Sequence, residues 1–113
     1  MSWVEHHLAS ENYAIQAELA AKNRDHKTAI ELYHKAAEEE ALAISQVEPD
    51  KMKTLAVTVT SAASLWFKAE EFRRAEQLAC QWLAVNGIPS FASEQLQAVL
   101  QSVWSERTYR AGA

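Results

Sequence analysis

Hydrophobic positions along this chain recur at three- and four-residue steps, the period of a helix with one buried face. Val4, Leu8, Ile15 and Leu19 form the first stripe, with Tyr13, Ala17 and Ala20 beside it, and predict a helix over about 2–21. After the polar break KNRD, Asp25 suits the N-cap of a second helix, about 26–46, because its carboxylate can accept from exposed amides. Ile30, Tyr33, Ala37, Ala41 and Ile44 make its inner stripe. QVEPDK then breaks the pattern: Pro49 disfavours helical backbone at Glu48, and Glu48 or Asp50 is placed to cap a third helix.

That third helix, about 51–69, aligns Met52, Leu55, Val59, Ala62 and Trp66, and its flank is rich in hydroxyls at Thr58, Thr60, Ser61 and Ser64. The fourth, about 71–86, aligns Phe72, Ala75, Ala79, Trp82 and Leu83. Gly87 is a C′ candidate for it, with Ile88 making the accompanying apolar contact and Pro89 blocking continuation. The fifth, about 90–107, aligns Leu96, Val99, Leu100, Val103 and Trp104, and leaves TYRAGA as a fraying tail. VTVT at 57–60 has strand propensity, yet its neighbours keep helical spacing, so it reads as helix. The fold class expected is all-α: antiparallel hairpins over about 2–46 and 51–86, then a capping helix, in one domain.

Composition sharpens this picture in three ways. Two glycines and two prolines in 113 residues leave room for few turns, which favours long helices with brief connections. Residues 1–50 hold four Lys/Arg against ten Asp/Glu, net −6, and residues 51–113 hold seven against five, net +2. The acidic half argues against nonspecific nucleic-acid binding, which needs a basic surface to release counterions. Cys80 is the single cysteine, and neither a signal-peptide pattern nor an apolar run of membrane-spanning length occurs. A soluble cytoplasmic protein is the expectation.

The helices also repeat. Tyr13, Ala17 and Ala20 are followed by Ala29, Tyr33 and Ala36; Val59, Ala63 and Trp66 are followed by Ala75, Ala79 and Trp82, with the same internal offsets of 4, 3, 9, 4 and 3 residues. Alanines at 17, 29, 63 and 75 would let two helix backbones approach closely, and large neighbours would fill the remaining space. Tyr33 and Ala36 become Ala79 and Trp82, a volume-conserving exchange of large and small.

AKNRDHKTAIELYHKAAE, and less fully FKAEEFRRAEQLACQWLA, resembles the tetratricopeptide repeat (TPR), whose hairpins carry W-x2-L-G-x2-Y, then A-x3-F and a later Pro. The resemblance covers about residues 10–89. It departs from the family at Arg24 and Glu70, where the turn prefers Gly, and at Gln16, an apolar position. Ala29 and Ala75 lie 46 residues apart against the usual ~34, which lengthening of the second and third helices by about 9 Å each would absorb. AIELYHKAAEEE followed by ALAISQVEPDK is also similar to the three-helix microtubule-interacting-and-trafficking (MIT) domain. That family lacks a second hairpin, so the TPR-like resemblance is preferred.

Candidate chemistry is thin. ELYH at 31–34 has the Glu-x-x-His spacing of di-iron bundles, but no second Glu-x-x-His occurs, and His34 reads better as a surface partner of Glu38. His6 and His7 read as surface residues, and His26 as a stand-in for the aromatic that packs at that point of a TPR. Histidines at 26 and 34 do not fit the spacing from Arg24 that a helical nuclease would need. Cys80 reads as half-buried packing, EEE at 38–40 as a solvated face, and Trp3 and Trp104 as candidate exposed anchors. No catalytic residue, metal ligand or cofactor site is expected.

The TPR-like resemblance implies a concave groove lined by Glu11, Ala14, Glu18 and Lys22 from the first helix and Thr60, Ser64, Phe67 and Lys68 from the third. Glu18 stands where a carboxylate-clamping Asn would be wanted, so an acidic C-terminal peptide is not the expected ligand. A peptide or helix carrying positive charge is. The expected function is noncatalytic protein–protein interaction, with a structural homo-oligomer as the alternative and a metal-dependent helical enzyme as a remote one.

Overall fold

The computed structural model describes residues 1–112, and among them five α-helices form: α1 Trp3–Lys22, α2 His26–Ile44, α3 Met52–Lys68, α4 Phe72–Leu83 and α5 Ser90–Gly112. VTVT lies wholly inside α3, and the fold is all-α. Packing runs in sequence from α1 to α5, with α5 also returning onto α3. The result is a slab of 42 × 31 × 18 Å, its thinnest dimension near two helix diameters.

Local chemistry sets the ends of these helices. Ser2 and Glu5 close a reciprocal capping box at the start of α1, and the Asp25 carboxylate accepts from the Thr28 amide at the start of α2. At the start of α3 neither Glu48 nor Asp50 serves as cap; Lys51 occupies that position and its side chain, which has no acceptor, makes no capping bond. α4 ends at Leu83, earlier than its apolar pattern suggests, so Gly87 with φ +82° lies in the loop beyond the C-cap Ala84 rather than at C′. Ile88 still packs against the core.

The tail expected to fray is instead helical to Gly112. Two arginines hold it down. Arg107 donates to Glu76 at 2.9 Å, and Arg110 donates to Glu70 at 2.6 Å while stacking 4.9 Å from the Phe72 ring centroid.

The repeat read from sequence is present as geometry at both hairpin turns. Arg24 N–H donates to Ala21 C=O and Asp25 N–H to Ala20 C=O; 46 residues later Glu70 N–H donates to Phe67 C=O and Glu71 N–H to Trp66 C=O. These paired 5→2 and 6→1 bonds are the Schellman motif. Arg24 and Glu70 both take φ +60°, the left-handed conformation that makes glycine the usual choice there. Asp25 (φ −90°, ψ 74°) and Glu71 (φ −89°, ψ 66°) then occupy the N-cap position of the returning helix, Asp25 with a side-chain bond and Glu71 without one. Ala17, Ala29, Ala63 and Ala75 are all buried, as close backbone approach requires.

One contiguous apolar core gathers Ala36 and Ala37 of α2, Leu55, Val59, Ala63 and Trp66 of α3, Ala75 and Ala79 of α4, and Leu96, Val99, Leu100 and Val103 of α5. Trp104, aligned with that stripe in sequence, is 44% exposed and donates its indole N–H to Glu76. α1 contributes only the partly buried Tyr13 and Ala14 to the core. Its stripe of Val4, Leu8, Ile15 and Leu19 does not face inward at all: each is more than half exposed. The buried face of α1 is His6, Ser10 and Ala17.

Candidate functional site

The TPR-like resemblance implies a groove lined by residues of α1 and α3. The structure distributes those residues differently. α1 does not pack along α3, because α2 is its main helical neighbour. Ser64, Phe67 and Lys68 instead line a groove between α3 and α5, about 280 Å³ in volume, whose other wall is Gln95, Ala98, Val99 and Ser102. The Phe67 ring forms its apolar side and is anchored from behind by Phe72, centroid to centroid 5.5 Å. Lys68 sits on the rim, its ammonium 5.7 Å from the Tyr33 ring centroid.

The remaining candidates fall outside this groove. Thr60 is buried and returns its hydroxyl to the Val57 carbonyl at 2.9 Å. Thr58 is buried too, donating to Thr54 C=O and accepting from the Trp3 indole at 3.0 Å. Much of the hydroxyl-rich flank is therefore interior rather than open surface. Glu11 and Lys22 are placed on α1, Glu11 in the open and engaged by His7 Nε2 at 3.1 Å. Ala14 is half-buried against the core. Glu18, also exposed, lies near Tyr33, whose phenol is pushed upward in pKa first by burial and then by the Glu18 charge. Glu18 and Lys68 thus approach the same tyrosine from two helices.

The α1–α2 contact overturns three further readings. His6 is buried and its Nδ1 meets Glu39 at 2.7 Å; His7 Nδ1 meets Glu40 at 3.0 Å. Glu40 is only 1% exposed, so the EEE run is not a solvated face. Trp3 stacks on His7 with centroids 4.8 Å apart and planes 8° from parallel, and is half-buried rather than an open anchor. Burying a carboxylate is costly unless it is paired, and here an imidazole from the facing helix pairs each one. Spacing within one helix carries no sign of this, because each partner lies 33 residues away. The available signal was complementarity between an adjacent His-His on one helix and an adjacent Glu-Glu on its antiparallel neighbour.

ELYH has a structural part. Glu31 is exposed, while His34 lies 3.4 Å from both Glu38 and Glu71 and meets the Trp66 ring edge-on at 5.3 Å. Glu31, His34, Glu38 and Glu71 line, with Ile30, Lys35 and Ala69, a hollow of about 380 Å³. Among the described residues no three His, Cys, Asp or Glu side chains gather closely enough to hold a metal ion. Cys80 is exposed, not half-buried. His26 is exposed as well; the corresponding position in the second hairpin, Phe72, packs. No helix among the described residues is long and apolar enough to cross a membrane. Comparison with protein-family models, curated proteins and solved structures finds no match to this chain.

Proposed function

We propose that this protein is a noncatalytic interaction module, built of TPR-like hairpins, that holds a short segment of a partner protein. The groove between α3 and α5 carries this reading: an aromatic wall at Phe67, small residues at Ser64 and Ala98, and one charged side chain, Lys68. Aromatic anchors beside small residues suit a docked helix or extended peptide. The recurrence of the same Schellman turn in both hairpins supports the repeat reading over a three-helix bundle. The same proposal places the protein in the cytoplasm, with which a single exposed thiol at Cys80 is compatible.

This geometry revises the ligand's expected charge. Glu11 and Glu18 do not line the groove, so Lys68 is left without a neighbouring acid along its wall. An apolar segment with one acidic or hydrogen-bonding residue is the better complement. Selection from a random peptide library displayed on phage tests this directly. Enriched peptides should bind in the micromolar range and lose at least about tenfold in affinity to a Lys68→Glu, Ala98→Arg variant, both positions being exposed. Absence of enrichment, or equal binding to that variant, would overturn the assignment.

A further inference from the structure

The two terminal helices present opposite outer surfaces. α5 ends the slab with a polar face that includes Glu94, Gln97 and Gln101, the usual condition for the last element of a helical array. α1 ends it with aliphatics: Val4 is 53% exposed, Leu8 56%, Ile15 59% and Leu19 55%. At 100° per residue these four fall within one narrow stripe, opposite the buried face of His6, Ser10 and Ala17. An edge helix of a water-facing domain normally carries polar side chains there.

We infer that this stripe pairs with the same stripe on a second copy of the chain, the two α1 helices running antiparallel about a twofold axis. The spacing is the reason. Positions 4, 8, 15 and 19 are separated by 4, 7 and 4 residues, a palindrome. An antiparallel pair centred between residues 11 and 12 sets Val4 against Leu19 of the other copy and Leu8 against Ile15, leaving none of the four unmatched. A twofold interface must be self-complementary in this way. The seam extends about 22 Å from Val4 to Leu19. Glu11, at its centre, is the unfavourable element, since the twofold brings it toward its own copy; His7 Nε2 meets its carboxylate at 3.1 Å within the same helix. The α3–α5 groove lies outside this interface, so the inference is independent of the peptide-binding proposal.

One pair of helices buries less than the ~1,200 Å² lower bound of standard interfaces, so a reversible dimer is expected, dissociating at roughly 10–100 µM. Analytical ultracentrifugation from low to high micromolar concentration should show a monomer–dimer equilibrium. Leu8→Glu with Ile15→Glu, which sets like charges against each other across the twofold, should abolish it while leaving the circular dichroism spectrum and melting temperature of the monomer unchanged, because neither side chain is in the core. Glu11→Leu should tighten it about tenfold or more. In a Cys80→Ser background, a mixture of Leu8→Cys and Ile15→Cys chains should oxidise to the mixed disulfide in preference to either homodimer. A monomer at every concentration, a dimer indifferent to the Leu8/Ile15 variant, or a disulfide preference for like pairs would each overturn the proposal.

Discussion

The two hairpins turn alike and are buried unlike. Their Schellman turns, left-handed residues and capping dihedrals coincide 46 residues apart. Yet α3 is covered on most of its circumference by α2, α4 and α5, whereas α1 meets mainly α2. The inner surfaces differ accordingly. α3 offers Leu55, Val59, Ala63 and Trp66 to the core; α1 offers Trp3, His6, Ser10, Tyr13 and Ala17, with histidine–glutamate pairs and one indole–threonine bond among its contacts. A repeated local motif fixes how a hairpin closes. What each helix then buries depends on how many neighbours surround it.

Large-to-small substitution should expose that asymmetry most strongly. Trp66 sits in the core, with the Arg74 guanidinium 4.6 Å from its ring centroid and His34 of the first hairpin against its edge. Trp66→Ala is expected to cost ~3–5 kcal/mol, a large share of the ~5–15 kcal/mol that holds a small domain folded. Tyr13→Ala, on the inner face of α1, should cost only about 1–2 kcal/mol because that ring is half-buried. Urea unfolding followed by far-ultraviolet circular dichroism measures both. Equal losses would mean that α1 is as deeply integrated as α3.

The same asymmetry explains which parts of the structure were legible in the sequence. Where a helix has one dominant buried face, as in α4, periodicity located it; in α2 it found Ala37 but missed the buried Glu40 and Ala43. For α3 and α5 periodicity found the core stripe but missed the buried Thr58 and Thr60; it also aligned Trp104 with that stripe, although its place on a terminal helix had marked it as an exposed anchor, which it is. In α1 the aliphatic stripe lies on the outer side, and only the residues read beside it, Tyr13 and Ala17, turn inward. Four aliphatics at helical spacing outweigh His6 and Ser10 on any hydrophobic scale, and nothing within that helix reveals that His6 and His7 are answered by Glu39 and Glu40. The groove suffered similarly: Ser64, Phe67 and Lys68 share a wall, but their partners come from α5 and not from α1. Positions set by local spacing were readable; those set by a facing helix were not.

Glycine substitution at the turns sharpens the comparison at lower amplitude. Arg24 and Glu70 hold the same left-handed backbone, in which a side chain costs roughly 1–2 kcal/mol that glycine avoids, less about 0.4–1 kcal/mol for glycine's freedom in the unfolded chain. Arg24→Gly should therefore stabilise by about 0.5–1 kcal/mol. Glu70→Gly should gain less, since it also gives up the Arg110 contact that fastens the end of α5. If thermal melts ranked the two in the opposite order, the tail contact would be making no contribution.

Acid should separate the hairpins by the smallest effect. The Asp25 carboxyl is held below its ordinary pKa by its bonds to Thr28, and Glu76, which joins α4 to α5, is lowered by Trp104 and then by Arg107. A carboxyl depressed in the folded state contributes stability that is fully present above its unfolded value, about 4. That contribution disappears as pH falls through the folded value. Stability should thus be level near neutrality and decline below about pH 4. Asp25→Ser keeps a hydroxyl able to accept from the Thr28 amide but removes the titrating charge, so it should flatten part of that decline without changing the neutral-pH melting temperature much. Glu76→Gln should flatten another part, and because it also weakens the tie to Arg107 it should lower stability at neutral pH as well. Urea midpoints measured at half-unit steps from about pH 2 to 6 would resolve the two. A double variant with the wild-type acid slope would show that neither the α2 cap nor the strap carries it, and would move the acid sensitivity to Glu5, whose carboxyl is likewise lowered by its bonds to Ser2 at the start of α1.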